Sequence, residues 1–261
     1  MKHLKIIALL LRNSLMSHLE YRFSFIMWSI TSILWIMLTL ISIEFIFGHV
    51  NSIAGWTKNQ MLLIATVFGI FSSIMWMFFL PSAINITKLV RKGTLDFYLL
   101  KPIGNRFLLS TNQFSLDNFP RACILVLIMF GLIDSMGLKI SFLSWIQFIL
   151  FLLIGLGIFY NIFFTAAVTS IWFIDIFNLE DLYANILNVG RLPTHIFEGF
   201  TKLSFMFILP VVFVATFPAQ ILLGTADITM AITGLVILII SSLGSQWFWN
   251  FALKRYSSAS S

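Results

Sequence analysis

Long stretches without a charged residue dominate this sequence. Residues 140–174 contain no Asp, Glu, Lys or Arg, and residues 23–43 are equally free of charge. An ordinary soluble domain carries about 25% charged residues, whereas this chain of 261 residues is 10% charged and 59% hydrophobic. A water-soluble globule would therefore lack the charges to cover its surface. We predict an all-α integral membrane protein, because helices satisfy their own backbone hydrogen bonds in lipid.

The apolar stretches are long enough to be counted as membrane crossings. Each crossing needs about 20 apolar residues, and the chain then forms a single transmembrane domain over residues 1–261. We predict six transmembrane helices, at about residues 23–43, 61–86, 120–138, 142–174, 203–223 and 228–251.

Local signals define some of the borders. Pro81 predicts a kink near the end of the second crossing, because proline removes a helical hydrogen bond. The third crossing begins where Asp117 or Asn118 can cap a helix that has Pro120 in its first turn. The fourth is read as one long helix, loosened at Gly155 and Gly157.

The join between the fifth and sixth crossings is very short. Two arrangements remain open at this point. Either the loop is tight, or the part around Pro218 turns back within the membrane as a re-entrant element, which is tolerated where protein covers it.

Residues 1–20 are predicted to form an amphipathic interfacial helix that does not span the membrane. A signal peptide is rejected because Arg12 interrupts the apolar run. At 100° per residue, one side is apolar and the opposite side is polar. The apolar side contains Leu4, Ile7, Ala8, Leu11 and Leu15, and the polar side Lys2, Lys5, Arg12 and Asn13.

The basic residues alternate between loops. All of the 16 Lys and Arg residues except Lys58 and Lys139 fall in the N-terminal segment, the second loop, the fourth loop and the C-terminal tail. Because Lys and Arg are retained in the cytoplasm, both termini are predicted to be cytoplasmic. The net charge of +6 is then a topology signal, and no nucleic-acid partner is predicted.

Residues for chemistry inside the membrane are missing. The carboxylates Glu44, Asp134, Asp175 and Asp227 lie near the predicted helix ends, which disfavours proton-coupled or sodium-coupled transport. The histidines are far apart and form no metal-binding helix motif. We predict no catalytic residue and no metal site. The histidines are His3, His18, His49 and His195.

A nucleotide site is also absent from the sequence pattern. No Gly-x-x-x-x-Gly-Lys-Ser/Thr occurs, and Lys92-Gly93-Thr94 has the wrong order for a phosphate loop. No cofactor is predicted for this chain. If the protein uses ATP, another chain must bind it.

The second loop, residues 87–102, carries the most specific pattern. Thr94 can cap a short helix, with Asp96 at its positive end and Pro102 after its last turn. Leu95, Tyr98 and Leu99 would then form an exposed apolar ridge that fits a groove on a partner.

A basic loop that only fixes topology and touches anionic lipid is the alternative. For the basic residues of this loop both interpretations remain open. These residues are Lys88, Arg91, Lys92 and Arg106.

The stretch from Arg91 to Pro102 resembles the cytoplasmic loop of type-2 ATP-binding-cassette (ABC) exporter permeases. It is most like the bacterial subgroup with six crossings and no nucleotide domain of its own. Residues 207–210 and 215–224 are similar to the fifth-helix pattern of that subgroup.

The resemblance implies a permease in the bacterial plasma membrane that pairs with a second permease, alike or different, and with two ABC ATPase subunits. ATP and magnesium are expected in the ATPase, and the exported substrate is unknown. The N-terminal helix and the short helix of the second loop would contact the ATPase. The coupling residues carried over are Arg91, Gly93, Thr94, Leu95, Asp96, Tyr98, Leu99, Leu100, Lys101 and Pro102.

One alternative function and one further candidate contact remain beside the permease interpretation. The chain could be a membrane scaffold or assembly factor that recruits a cytoplasmic partner without transport. In the fourth loop, Leu179, Leu182 and Ile186 could form an apolar contact strip, although a solvated helix extension is the favoured interpretation there.

Overall fold

A computed structural model describes residues 2–53, 55–173, 179–190 and 210–256. Helices and turns account for this part of the chain, which contains no β-strand, so the all-α prediction is confirmed. The first helices are α1 (Lys2–Glu20), α2 (Arg22–Phe47), α3 (Lys58–Ile74), α4 (Leu80–Arg91), α5 (Asp96–Leu99) and α6 (Asn105–Ser110).

The second half of the chain supplies the centre of the bundle. Its helices are α7 (Phe119–Ser135), α8 (Phe142–Val168), α9 (Leu179–Gly190), α10 (Thr216–Leu223) and α11 (Ile228–Arg255). A short 3₁₀ turn, Thr169–Ile171, extends α8, and another, Val211–Phe213, precedes α10.

Four helical spans in the described residues are long and apolar enough to cross a membrane. They are Arg22–Phe47, Lys58–Arg91, Phe142–Ile171 and Ile228–Arg255. Helix α7 has 17 residues, or ~26 Å at 1.5 Å per residue, which is slightly shorter than the hydrocarbon core of about 30 Å. The predicted fifth crossing begins at residues 203–209, outside the described residues. Six crossings therefore stay a prediction.

The second span is continuous from α3 to α4 through a π-helical segment, Met75–Phe79. This segment lies directly before Leu80 and Pro81, and the kink itself stays a prediction. Pro81 has no N–H to give to the carbonyl of Met77 four residues earlier. The backbone N–H of Ser115 donates to that carbonyl instead, at 3.0 Å. The proline thus opens an acceptor that ties the chain after α6 to this span.

Helix α8 lies at the centre of the bundle, packed against α4, α10 and α11. The expectation that Gly155 and Gly157 loosen α8 is wrong. A Cβ at Gly155 would lie 2.4 Å from the carbonyl oxygen of Phe213, and one at Gly157 would lie 2.8 Å from Leu238 Cδ1. Both glycines permit close approach of neighbouring elements.

The segment from Pro210 to α10 is almost entirely buried. Pro218 lies in the first turn of α10, where its missing N–H has no helical acceptor to leave unpaired. Gly224 ends the helix with φ +71°, and the Asp227 side chain accepts from Thr229 N at 3.0 Å to start α11. The join between α10 and α11 is short, as expected, and the re-entrant arrangement around Pro218 stays a prediction.

Helix α1 spans the residues predicted for the amphipathic helix, and a break at Tyr21 separates it from α2. On its predicted apolar side, Ile7 and Leu11 are half-buried and Leu15 stays exposed. Its position at a membrane surface stays a prediction.

Candidate functional site

The second loop begins with a well-defined helix end. Gly93, with φ +65°, follows the last residues of α4. The N–H of Gly93 donates to the carbonyl of Val90 at 3.0 Å, and that of Thr94 to Leu89 at 2.9 Å. This pair of hydrogen bonds is the Schellman motif, which stops a helix and reverses the chain. Gly93 therefore fixes the direction in which the loop leaves α4.

The short helix α5 is a single turn, and its orientation differs from the one predicted. Leu95, not Thr94, occupies the N-cap position, and the Thr94 hydroxyl points back to the Leu89 carbonyl. Leu95 is 0% exposed, and Tyr98 and Leu99 pack against the same buried cluster. The predicted exposed ridge of Leu95, Tyr98 and Leu99 is wrong, because that face anchors the loop to the bundle.

The anchoring cluster joins residues from six helices. Leu95 belongs to one buried cluster with Val90 of α4, Phe164 and Val168 of α8, and Trp249 of α11. Burial of a leucine side chain of this size contributes about 1.5–3 kcal/mol. Helix α5 is thus held on the ends of α4, α8 and α11 by contacts distant in sequence.

The outer face of the loop carries different apolar side chains. Phe97 is 67% exposed and Leu100 is 82% exposed. Lys101 Nζ lies 4.9 Å from the centre of the Tyr98 ring, a cation–π distance. Four exposed cations occur in the same stretch of chain, namely Lys88, Arg91, Lys92 and Lys101. We call Phe97, Leu100 and these four cations the loop face.

The coupling residues that the resemblance implies form three groups that differ in exposure. Leu95 is buried, Gly93, Thr94, Asp96, Tyr98 and Leu99 are half-buried, and Arg91, Leu100, Lys101 and Pro102 are exposed. A contact with a partner is therefore open to the last group and to Phe97, which the sequence interpretation missed. Nothing in the local sequence distinguishes Phe97 from the neighbouring apolar residues.

Arg106 of α6 reaches from the loop into the helix bundle. Its Nη1 donates to Gln246 Oε1 at 2.7 Å, and its Nη2 donates to Asn161 Oδ1 at 2.8 Å and to Ser245 Oγ at 3.0 Å. The guanidinium also lies 4.9 Å from the ring centre of Phe164. One side chain of the loop thus binds both α8 and α11.

A second layer of polar groups supports Arg106. Asn161 Nδ2 donates to Ser242 Oγ at 2.9 Å. Tyr160 accepts from Arg106 Nε at 3.4 Å and is hydrogen-bonded to Ser110 of the same helix as Arg106. Arg106 was predicted only as one basic residue of the loop. The available sequence signal was the distance along the chain between Arg106 and an apolar run. The hydrogen-bond partners of Arg106, however, lie 54 to 140 residues away in the sequence.

Helix α1 is attached to the other end of the same loop. Ser14 Oγ donates to the carbonyl of Phe114 at 2.7 Å. The N–H of Leu116 donates to His18 Nε2 at 3.0 Å, and His18 Nδ1 lies 3.4 Å from Asp117 Oδ1. Because Nε2 accepts, Nδ1 carries the proton and faces the carboxylate. Helix α1 is thus fixed to the segment between α6 and α7.

Arg121, at the start of α7, closes the loop against α3. Its Nε donates to Ser73 Oγ at 2.9 Å and its Nη2 to Ser72 Oγ at 3.3 Å. Ser82 of α4 donates to the carbonyl of Gln113 at 2.8 Å. The loop between α4 and α7 is therefore connected to several helices of the bundle.

The predicted apolar strip of the fourth loop packs inward. Leu179 of α9 is 3% exposed, and Leu182 and Ile186 contact the buried core. This strip is part of the core and offers no surface to a partner. Asp175 lies outside the described residues.

An exposed ion pair lies at the opposite end of the bundle. There Lys58 Nζ lies 3.0 Å from Glu44 Oε2, with both side chains about half exposed. In the described parts of the chain, no group of three or more His, Cys, Asp or Glu residues could hold a metal ion.

Comparison with known proteins assigns the family. Comparisons with curated proteins and with solved structures gave no match. The family model of the ABC-2 family transporter proteins matches residues 33–260, which include the loop face, Arg106, three of the four membrane-spanning candidates and the larger part of the first. The chain is a multi-pass membrane protein that belongs to the ABC-2 transporter family.

Proposed function

We propose that the chain is the permease subunit of an ATP-driven ABC exporter in the bacterial plasma membrane, with both termini in the cytoplasm. It forms the translocation path with a second six-helix permease and binds two ATPase subunits through the loop face. ATP and magnesium belong to the ATPase, and this chain supplies no catalytic residue. Membership of the ABC-2 family supports the permease role.

The observation that carries the coupling role is the two-sided character of α5. One side is anchored by Leu95, which has no exposed surface, while Phe97 and Leu100 stand out on the other side. Interfaces are organised around exposed aromatic and aliphatic anchors within a polar rim. The loop face has this composition, with its cations positioned to meet acidic groups on a soluble partner.

The same contacts would transmit a movement of the loop to the long helices of the bundle. A displacement of α5 acts on α4, α8 and α11 through Leu95, and a displacement of α6 acts on α8 and α11 through Arg106. Closure of the ATPase subunits would therefore move the helices as packed bodies and open the path between the two permeases.

The test is co-purification of the tagged chain from cells that express its native operon. We expect an ABC ATPase to accompany the wild-type chain. Phe97→Asp and Leu100→Asp should each weaken this complex about thirtyfold, the effect of losing an interface anchor worth roughly 2 kcal/mol. Val50→Asp changes an exposed apolar side chain in a loop at the other end of the bundle. It is the matched control and should bind normally.

Gel filtration in detergent checks that each variant is folded. Leu95→Asp is unsuitable for this test, because a charge at a fully buried position disrupts the fold itself. A wild-type chain that purifies without any ATPase would contradict the proposal. A complex that forms and responds to the variants, but shows no ATP-dependent transport after reconstitution, would favour the scaffold alternative.

A further inference from the structure

A row of polar side chains lies on the exposed side of α11. Gln246, Asn250 and Lys254 are spaced four residues apart and are all exposed. Residues at this spacing lie on one stripe of a helix. Arg106 meets the stripe at Gln246. A membrane-spanning helix seldom presents such a row to lipid tails, because polar groups there lose hydrogen bonds to water.

The hydrogen bonds along this row all run in one direction. Arg106 Nη1 donates to Gln246 Oε1 at 2.7 Å, and Gln246 Nε2 donates to Asn250 Oδ1 at 3.2 Å. Each acceptor is therefore filled by the preceding donor. The row ends in the Nδ2 donors of Asn250, one turn before the ammonium group of Lys254. The Nδ2 donors of Asn250 therefore need a hydrogen-bond acceptor. The two cations, Arg106 and Lys254, favour an acceptor that carries negative charge.

The charge of Arg106 also indicates a negatively charged ligand. Its hydrogen-bond partners are Gln246, Asn161, Ser245 and Tyr160, all of them uncharged. In the described residues no carboxylate forms an ion pair with it. A guanidinium packed between membrane helices is costly without a counter-charge, and such residues mark binding sites. The guanidinium's exposed edge, at Nη1, faces the stripe.

The position of the row matches the membrane surface. Helix α11 has 28 residues, or ~42 Å, which exceeds the hydrocarbon core of about 30 Å. With Asp227 at the opposite surface, the last turns of α11 lie at the headgroup level. Trp247 is exposed and stacks on Phe251, which Arg255 covers at 5.3 Å. Aromatic residues with adjacent cations are typical of this interface.

We propose that Arg106, Asn250 and Lys254 bind the phosphate of an anionic phospholipid in the leaflet that contains this end of α11. The lipid's acyl chains lie along the apolar residues of α11 that follow toward the membrane centre, such as Leu243 and Ile239, which are exposed. The phosphate supplies acceptor oxygens for the end of the row and a negative charge that none of the described partners of Arg106 carries. This site is independent of ATPase binding and of the exported substrate.

The test measures lipid retained by the full chain. Protein purified in detergent is mixed with equal amounts of dioleoylphosphatidylglycerol and dioleoylphosphatidylcholine, and bound lipid is counted by native mass spectrometry. We expect at least a fivefold preference for phosphatidylglycerol. Lys254→Gln should reduce phosphatidylglycerol binding about fivefold, the effect of about 1 kcal/mol for one basic residue at the surface. Arg106→Gln should abolish the preference.

Two variants separate binding from folding. Asn250→Leu removes the terminal donors on an exposed surface and should lower the preference without changing gel filtration. Lys139→Gln removes an exposed cation at the other end of the bundle and should leave the preference unchanged. Equal binding of the two lipids, or an effect of Lys139→Gln as large as that of Lys254→Gln, would overturn the proposal.

Two other occupants are excluded by separate measurements. Sodium phosphate should displace phosphatidylglycerol no better than sodium chloride of equal ionic strength, and a specific displacement would identify a free-phosphate site instead. Asn250→Cys, in a chain that also carries Cys123→Ser, should not cross-link in native membranes. A disulfide-linked dimer would show that a second copy covers this face and would overturn the proposal.

Discussion

Replacing Gly155 by alanine tests the close packing at the centre of the bundle. The added Cβ would lie 2.4 Å from the carbonyl oxygen of Phe213 and 3.3 Å from the Phe71 ring. Carbon atoms pack favourably at about 3.5–4.0 Å, so the two segments must separate by roughly 1 Å. The nearest atom belongs to the backbone and cannot rotate away.

The magnitude follows from two opposing contributions. Overpacking of a core costs about 1–3 kcal/mol, and alanine is favoured over glycine in a helix by about 1 kcal/mol. We expect a net loss of about 0–2 kcal/mol in the free energy of unfolding, and about 1–3 kcal/mol relative to a glycine whose added Cβ meets no atom. For a chain of this size each kcal/mol shifts the unfolding midpoint by about 2–4 °C, so the midpoint should lie about 2–12 °C below that of such a control.

The assay is size-exclusion chromatography of the detergent-solubilised protein after heating to graded temperatures. Gly131→Ala in α7 and Gly244→Ala in α11 are matched controls, because no atom lies within 4 Å of their added Cβ. They should keep or raise the midpoint. Gly157→Ala meets only the mobile Leu238 side chain and should fall between. A Gly155→Ala midpoint equal to those of the controls would refute the packing argument.

Two further predictions concern the ends of the bundle. Gly93→Ala places a side chain at φ +65°, which costs about 1–2 kcal/mol. It should lower the heating midpoint, while Gly93→Asn should recover part of the loss because asparagine tolerates this conformation; equal midpoints for the two variants would contradict the role of φ. Lys58→Ala breaks the exposed ion pair with Glu44, and it should change the midpoint by less than about 2 °C, since exposed pairs contribute about 0–1 kcal/mol. A larger fall would show that the pair has a structural role.

The sequence was sufficient for features that depend on neighbouring residues. Membrane insertion follows from the length of uncharged runs, because the bilayer sets one thickness for every helix. The starts of α7 and α11 match the predicted ones, because proline is favoured in the first turn of a helix and the apolar run of the sixth crossing begins at Ile228. The second loop was recognised as the candidate functional segment from its own residues.

The loop's orientation could not be predicted from those residues. Leu95, Phe97 and Leu100 are all apolar, and a helix of a single turn has no extended pattern that distinguishes its faces. Leu95 is buried because α4, α8 and α11 converge on it. The same convergence leaves Phe97 and Leu100 exposed, so the candidate contact surface is the opposite of the one expected.

The sequence by itself therefore determined that the chain lies in a membrane, where most of its helices begin, and which loop carries the specific motif. Tertiary structure alone decided what that loop touches. Arg106 reads as one of several loop cations, yet its partners Asn161 and Gln246 are 55 and 140 residues away. Local signals act within a helical turn, whereas burial and counter-charge depend on which distant helices pack together, and that information is absent from any short stretch of sequence.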